Sequence, residues 1–397
     1  MEVIHKTDID LRVRPNLEDY EATRRDFRWQ HVTDGLLMPD GGCNIAYDAV
    51  DRHAGGASGT TTALRFLGDV GPDGSIAGDD ISYDELLSLT RRFAAVLRGL
   101  GVGAGDTMFV LSPRIPELYI GVLGALRNGT IVSPLFSAFG PEPIAMRVRL
   151  GGGSVLLTTA SLFRRKIAKL RDQMPTLRHV LLVDESGSAT GIAGTEDLRA
   201  LMDEASDDGE IAATSANDPA LLHFTSGTTG TPKGAVHVHG AVATHYATGL
   251  YALDLHPDDI YWCTADPGWV TGMSYGVIAP LLHGVTSIVD EADFDAERWN
   301  RILEKNGFDD RVYLPHVGFN RQVGLFSSHE LTPKGDLISA DVWASRQDDW
   351  LPSEADRTFV QNLMRPVYEP GKIAGWIAPP SNGINGKPFE YEYVHLA

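Results

Sequence analysis

Between residues 82 and 184 helical and extended periods alternate without a break, and that alternation leaves few folds open. Ser82-Tyr83-Asp84-Glu85 has the form of a capping box, with Ser82 placed to cap a helix and Glu85 to bond back to it. Leu86, Leu89, Phe93, Val96, Leu97 and Leu100 then recur at helical spacing, and Gly99 and Gly101 end the run. Strands are expected over 107–111, 130–135, 154–159 and 179–184, with helices over 116–128, 142–150 and 162–173 between them. Apolar strands separated by amphipathic helices predict an α/β fold, a mostly parallel sheet with flanking helices. Right-handed crossovers gather the loops that follow such strands at one edge, where ligands bind. Gly101-Val102-Gly103-Ala104-Gly105 closes a helix instead of opening one, so it reads as a turn and not as a dinucleotide fingerprint.

A different kind of segment interrupts the rhythm after residue 219. Ala220-Leu221-Leu222-His223-Phe224 and Ala235-Val236-His237-Val238 are apolar, and Thr225-Ser226-Gly227-Thr228-Thr229-Gly230-Thr231-Pro232-Lys233-Gly234 lies between them. The pattern is a strand, a loop rich in glycine and hydroxyls, and a second strand. Glycines allow positive φ and close backbone approach. Backbone N–H groups and the hydroxyls of Thr225, Ser226, Thr228, Thr229 and Thr231 can donate to phosphate oxygens, and Lys233 adds a compact positive charge. The loop therefore suits a polyphosphate. It is not a P-loop, which needs Gly-Lys-Ser/Thr opening a helix; here Pro232 precedes the lysine and strand-like sequence follows it. Beyond it helices are expected over 241–253, 274–282 and 296–305, and strands over 259–264 and 286–290. Residues 1–60 read as polar and irregular, and 185–219 as a connection with a short helix.

A net charge of −19, from 34 basic and 53 acidic residues, argues against nucleic acid or an anionic membrane as a general partner. A bound polyphosphate must then rely on local donors. No apolar run reaches the length of a membrane span, and the first residues lack the apolar core of a signal peptide. Cys43 and Cys263 lie far apart and form no metal spacing, so a cytoplasmic setting fits. Nothing in the sequence fixes an oligomeric state.

The 225–234 loop closely resembles the phosphate-loop signature of the adenylate-forming superfamily of acyl-CoA synthetases. Across residues 1–306 the chain resembles short-type acetyl-CoA synthetases. That match is carried by Asn16-Leu17-Glu18-Asp19-Tyr20, the run from Cys43 to His53, Gly124-Ala125-Leu126, the run from Pro134 to Glu142, and the run from Cys263 to Gly272. The resemblance implies a substrate set of ATP, a short carboxylic acid and coenzyme A, with Mg2+ bridging the phosphates. It implies phosphate binding by Thr225, Ser226, Gly227, Thr228, Thr229, Gly230 and Lys233, and an acyl pocket lined by Trp269, Val270 and Thr271. Core packing at a strand end is the competing account of those last three residues. Arg164 and Arg165 lie near where that family uses arginines for coenzyme A, and read here as a surface pair.

After Asn306 the rhythm stops, and prolines and aromatics become denser. Residues 307–397 resemble the C-terminal end of the oxygenase component of benzoyl-CoA 2,3-epoxidase. Met364 to Lys372, Trp376-Ile377-Ala378-Pro379-Pro380, Gly383-Ile384-Asn385-Gly386 and Phe389 to Val394 carry that likeness. Glu392 and His395 form a single Glu-x-x-His, short of the set a di-iron bundle needs. The expectation is a cut-short N-terminal adenylation domain over 1–306 joined to an unrelated, irregular tail over 307–397. The synthetase family's Trp-x-Thr-Glu-type motif, ribose-binding aspartate, arginine-rich hinge and adenylating lysine find no counterpart in the sequence, so no catalytic set is complete.

Three other readings compete. Gly272-Met273-Ser274-Tyr275-Gly276 fits a serine nucleophile elbow. His237, His239 and His245 could bind a metal, the first two on one face of a strand. The chain could also be a non-catalytic remnant that at most binds nucleotide.

Overall fold

Eleven strands form two sheets among the residues described by the computed structural model, which are 14–305 apart from 37, 57, 72–75, 185–190, 226–231, 258 and 293–294. In chain order they are β1 (Thr62–Val70), β2 (Ile76–Ser82), β3 (Thr107–Leu111), β4 (Ile131–Pro134), β5 (Gly153–Thr159) and β6 (His179–Val183). Then follow β7 (Glu196–Asp197), β8 (Pro219–Thr225), β9 (Lys233–Val238), β10 (Ile260–Trp262) and β11 (Thr286–Asp290). The larger sheet has the order β7-β6-β5-β3-β4-β8-β9 and the smaller one β10-β11-β1-β2. All pairs are parallel except β1 with β2 and β8 with β9, whose strands are joined by connections too short for a crossover.

Two-residue alternation along the central strands divides their side chains between two cores. Met108 and Val110 of β3, Val155 and Leu157 of β5, and Leu181 and Val183 of β6 point into the first. Phe109 and Leu111, Leu156, and Val180 and Leu182 point into the second. Helices Tyr83–Gly99 and Pro116–Arg127 fill the first core, where Ala63, Leu64, Phe66 and Val289 of the small sheet also end. Helix Pro141–Leu150 and the turns after β5 cover the second. Burial on both faces explains why these strands read as continuous apolar runs. Tyr83, fully buried, ties the layers together by donating from its hydroxyl to the Val285 carbonyl at 3.0 Å. Arg127 is held by Asp51 through two bonds of 2.7 and 3.0 Å and donates to the Gly209 carbonyl.

The local signals hold where they were strongest. Ser82 and Glu85 form both halves of the capping box. β3, β11 and helix Ala296–Lys305 occupy the expected residues, and Gly101 and Gly105 take positive φ in a turn. Two expected helices are interrupted. Residues 160–173 split into α, π and 3-10 turns, and 270–282 carries a π turn at Ser274–Ile278. The lead-in is more ordered than its polarity suggests, with helices Tyr20–Asp26 and Trp29–Thr33 and a π turn at Tyr47–Asp51. No described helix is long and apolar enough to cross a membrane. The tail, 307–397, lies outside the described residues.

Candidate functional site

β4 and β8 are parallel neighbours whose outgoing chains part company, β4 leading back toward β5 and β8 turning outward into β9. A crevice opens where adjacent strands send their connections in opposite directions. The register aligns Val132 with Leu221, so Phe136 and Thr225, each four residues further on, leave the same edge of the sheet. Ser133 Oγ donates to the Leu222 carbonyl at 2.8 Å and locks that register.

On the β8 side, Thr225 and Lys233 are direct partners across the antiparallel pair, so they form the two feet of the glycine- and hydroxyl-rich loop. Both are exposed. Ser226, Gly227, Thr228, Thr229 and Gly230 lie outside the described residues, as does Thr231. A β-carbon on Gly234 would sit 2.9 Å from a methyl of Leu222, so a bare glycine lets β9 close onto β8 directly behind the lysine.

On the β4 side, the segment after Pro134 carries two phenylalanines that sequence reasoning noted only as part of a motif. Trp269 rests on both, 5.1 Å from the Phe136 ring and 5.7 Å from the Phe139 ring, and the phenylalanines meet edge to face at 5.7 Å. Gly268 makes the approach possible, since a β-carbon there would lie 2.6 Å from Phe136 Cα and 2.7 Å from the Leu135 carbonyl. Trp269 precedes helix Val270–Met273 and is 44% exposed, and Val270 is 45% exposed. These two are thus a solvent-facing aromatic and aliphatic surface, not core; Thr271 is half-buried behind them. Asp266 supports the turn by accepting from the Gly268 N–H at 2.7 Å. Burial raises its carboxyl above the ordinary range against the pull of that N–H and of Arg114. Cys263 lies nearby and is half-buried, and burial pushes its thiol up to about 12, away from the thiolate form. Arg164 and Arg165 are exposed.

The rival sites dissolve in the geometry. Ser274 lies within a π turn of a helical run, not on a strand-to-helix elbow, and is buried with its Oγ 3.1 Å from His245 Nε2. His245 Nδ1 has no partner, so no acid orients that ring as a triad requires. β9 ends at Val238, so strand alternation does not reach His239, contrary to the sequence expectation. The His239 ring instead takes the Ile45 N–H on Nδ1 at 3.1 Å, whereas the His237 ring packs 5.0 Å from that of His223. Among the described residues no group of three metal-binding side chains converges.

Comparison with known proteins places the chain among relatives. The family model for AMP-binding enzymes matches residues 52–362, a span that runs through residue 306. Acetyl-coenzyme A synthetase of Bacillus subtilis (strain 168) is 37% identical over 327 residues, covering 82% of this chain and 54% of that protein. Acetyl-coenzyme A synthetase of Syntrophus aciditrophicus (strain SB) is 34% identical over 301 residues, covering 70% and 46%. The crystal structure of Brucella canis acyl-CoA synthetase superposes with a TM-score of 0.64 at 32% identity, covering 72% of this chain and 50% of that one. The chain spans about half the length of the relatives it matches.

Proposed function

The chain belongs to the AMP-binding enzyme family, and from that premise we propose that it is the phosphate-gripping and acyl-binding part of an ATP-dependent acid–thiol ligase for a short carboxylic acid. One observation carries the reading. Lys233 and Thr225 stand exposed as the feet of a loop at the sheet's carboxyl edge, beside the exposed Trp269 surface on the neighbouring strand's exit.

In this reading the loop from Thr225 to Lys233, including Ser226, Gly227, Thr228, Thr229 and Gly230, grips the β- and γ-phosphates of ATP. Trp269, Val270 and Thr271 hold the short acyl chain. The carboxylate attacks the α-phosphorus, pyrophosphate leaves, and the thiol of coenzyme A then takes the acyl group from the adenylate. The chain's share is to place the two reactants in line and to neutralise spreading phosphate charge with N–H, hydroxyl and ammonium donors. Residues 219–238 contain no carboxylate. Magnesium would therefore be held by the nucleotide's own oxygens, where it screens phosphate charge. A cytoplasmic setting suits these substrates.

The proposal has a second part. The 397 residues by themselves carry no counterpart of the family's adenine, ribose and hinge motifs, so they bind nucleotide without completing acyl-CoA synthesis. Calorimetric titration with ATP·Mg and with inorganic tripolyphosphate tests the first part; absence of binding to both would end it. Acetate-dependent exchange of pyrophosphate into ATP at an enzyme's ordinary rate would overturn the second. A segment boundary at residue 306, with an epoxidase-like tail beyond it, is proposed from motif content alone. Limited proteolysis that releases a stable fragment ending near residue 306 supports that boundary, and a resistant fragment reaching 362 contradicts it.

A further inference from the structure

We propose that Lys166 and Arg147 are positioning residues that hold the acyl-binding surface in place from behind, through the segment between β4 and helix Pro141–Leu150. The inference rests on the ligand reading above. Lys166, in the π turn after β5, donates from one ammonium to two carbonyls of that segment, those of Ser137 and Phe139, the latter at 2.8 Å. Two carbonyls two residues apart can share one ammonium only if the backbone between them is curled, so this cation fixes the turn that presents Phe136 and Phe139. Arg147, on a different element, places its guanidinium 4.3 Å over the Phe139 ring and is itself tethered to the Pro143 carbonyl at 2.9 Å. Phe139 is thus held at its carbonyl by one cation and across its ring by another, while Phe136 and Trp269 meet it at 5.7 Å.

The arrangement is asymmetric. Trp269 is 44% exposed, whereas Arg147 is buried and Lys166 half-buried. Burial, and then the neighbouring Arg165, lower the Lys166 pKa, so desolvation opposes its charged form where it makes these bonds. An aromatic wall without such ties would lose rotamer entropy each time an acyl group docks. With the ties in place that ordering precedes binding. Both cations act through Phe139 and touch no reacting atom.

The test compares the whole 397-residue chain with its Lys166→Met, Lys166→Arg and Arg147→Met variants. The probes are 5′-O-(N-acetylsulfamoyl)adenosine, a stable mimic of acetyl-adenylate, and inorganic tripolyphosphate, both titrated by calorimetry. Lys166→Met is expected to weaken the mimic by about tenfold and tripolyphosphate by less than about twofold. Arg147→Met is expected to weaken the mimic by about threefold, the scale of a cation–π contact. Lys166→Arg, which can still donate to both carbonyls, should restore affinity to within about threefold of the parent. Hydrogen exchange over 136–140 should accelerate in Lys166→Met and not in Lys166→Arg. Unchanged affinity for the mimic in Lys166→Met, equal loss for both probes, or an arginine variant that behaves like the methionine one would overturn the inference. If the parent binds neither probe, the ligand reading fails, and exchange over 136–140 alone decides whether the two cations fix the turn. If Lys166→Met does not fold, the Arg147→Met and Lys166→Arg titrations decide it.

Discussion

The large sheet ends differently on its two sides. At one edge β7 is two residues long, Glu196 and Asp197, and both side chains are engaged by neighbours. Glu196 accepts from the Val180 N–H at 3.0 Å and pairs with His179 at 2.8 Å, and Asp197 caps helix Leu198–Glu204. A short, charged edge strand invites no further pairing. At the other edge β9 runs for six residues, its first four exposed, with Val236 at 56%. Among the described residues no strand pairs with its outer side. The closed edge ends in charged side chains paired with their neighbours, whereas the open edge carries Lys233, a foot of the loop proposed to grip phosphate. If Lys233 grips phosphate as proposed, β9 has to stay open, unlike β5, every residue of which is buried.

Acid should break this contrast most strongly, because buried histidines crowd the β8–β9 side. His223, His239 and His245 are pushed down to about 4 by burial, as are His53 and His283 elsewhere. Each is neutral in the folded chain, while its unfolded counterpart takes up a proton below about 6.5. Their contribution is intact above that pH and drains away as pH falls toward 4. By pH 5 one such group removes at most about 2 kcal/mol. Asp48 runs the other way: burial raises it to about 7, so the stability tied to its neutral form is lost as pH rises through 7. Asp266, also raised by burial, acts in the same direction as Asp48; two groups oppose five, so thermal melts should show a fall in Tm from pH 7 to pH 5, and His245→Gln should flatten that slope.

At the closed edge, Glu196→Ala leaves the Val180 N–H and His179 without their acceptor and is expected to cost about 1–3 kcal/mol in urea unfolding. A cost near zero would mean that charge does not close this side. Lys233→Met should weaken tripolyphosphate binding by about tenfold, or about 1.4 kcal/mol, with Tm unchanged. A matching fall in Tm would make the lysine structural and erase the distinction between the edges. The smallest effect on stability belongs to Val236→Lys, which should stay within about 0.5 kcal/mol yet slow aggregation in light scattering, because a charge on an open edge discourages strand addition.

Much was decided locally. The capping box at Ser82 and Glu85, the apolar runs of β3 and β11, and the turn at Gly101 depend on neighbours a few residues away, so periodicity and composition expose them. The pairing of Thr225 with Lys233 at the feet of the glycine- and hydroxyl-rich segment was legible for the same reason, since the two strands that carry them lie close together in sequence. Other features came from contacts between distant segments. β1 was not read from the sequence although β2 pairs with it locally; its second, parallel partner, β11, lies far along the chain, Leu64 aligning with Ser287. Trp269 was a named candidate, but its exposure and its seat on Phe136 and Phe139 depend on how closely the turn at Gly268 approaches the exit of β4. Lys166 and Arg147 carried no signal at all, since an isolated cation in sequence says nothing about which carbonyl or ring it will meet. Sequence fixes what each segment prefers by itself; only folding brings together side chains whose meeting no local preference encodes.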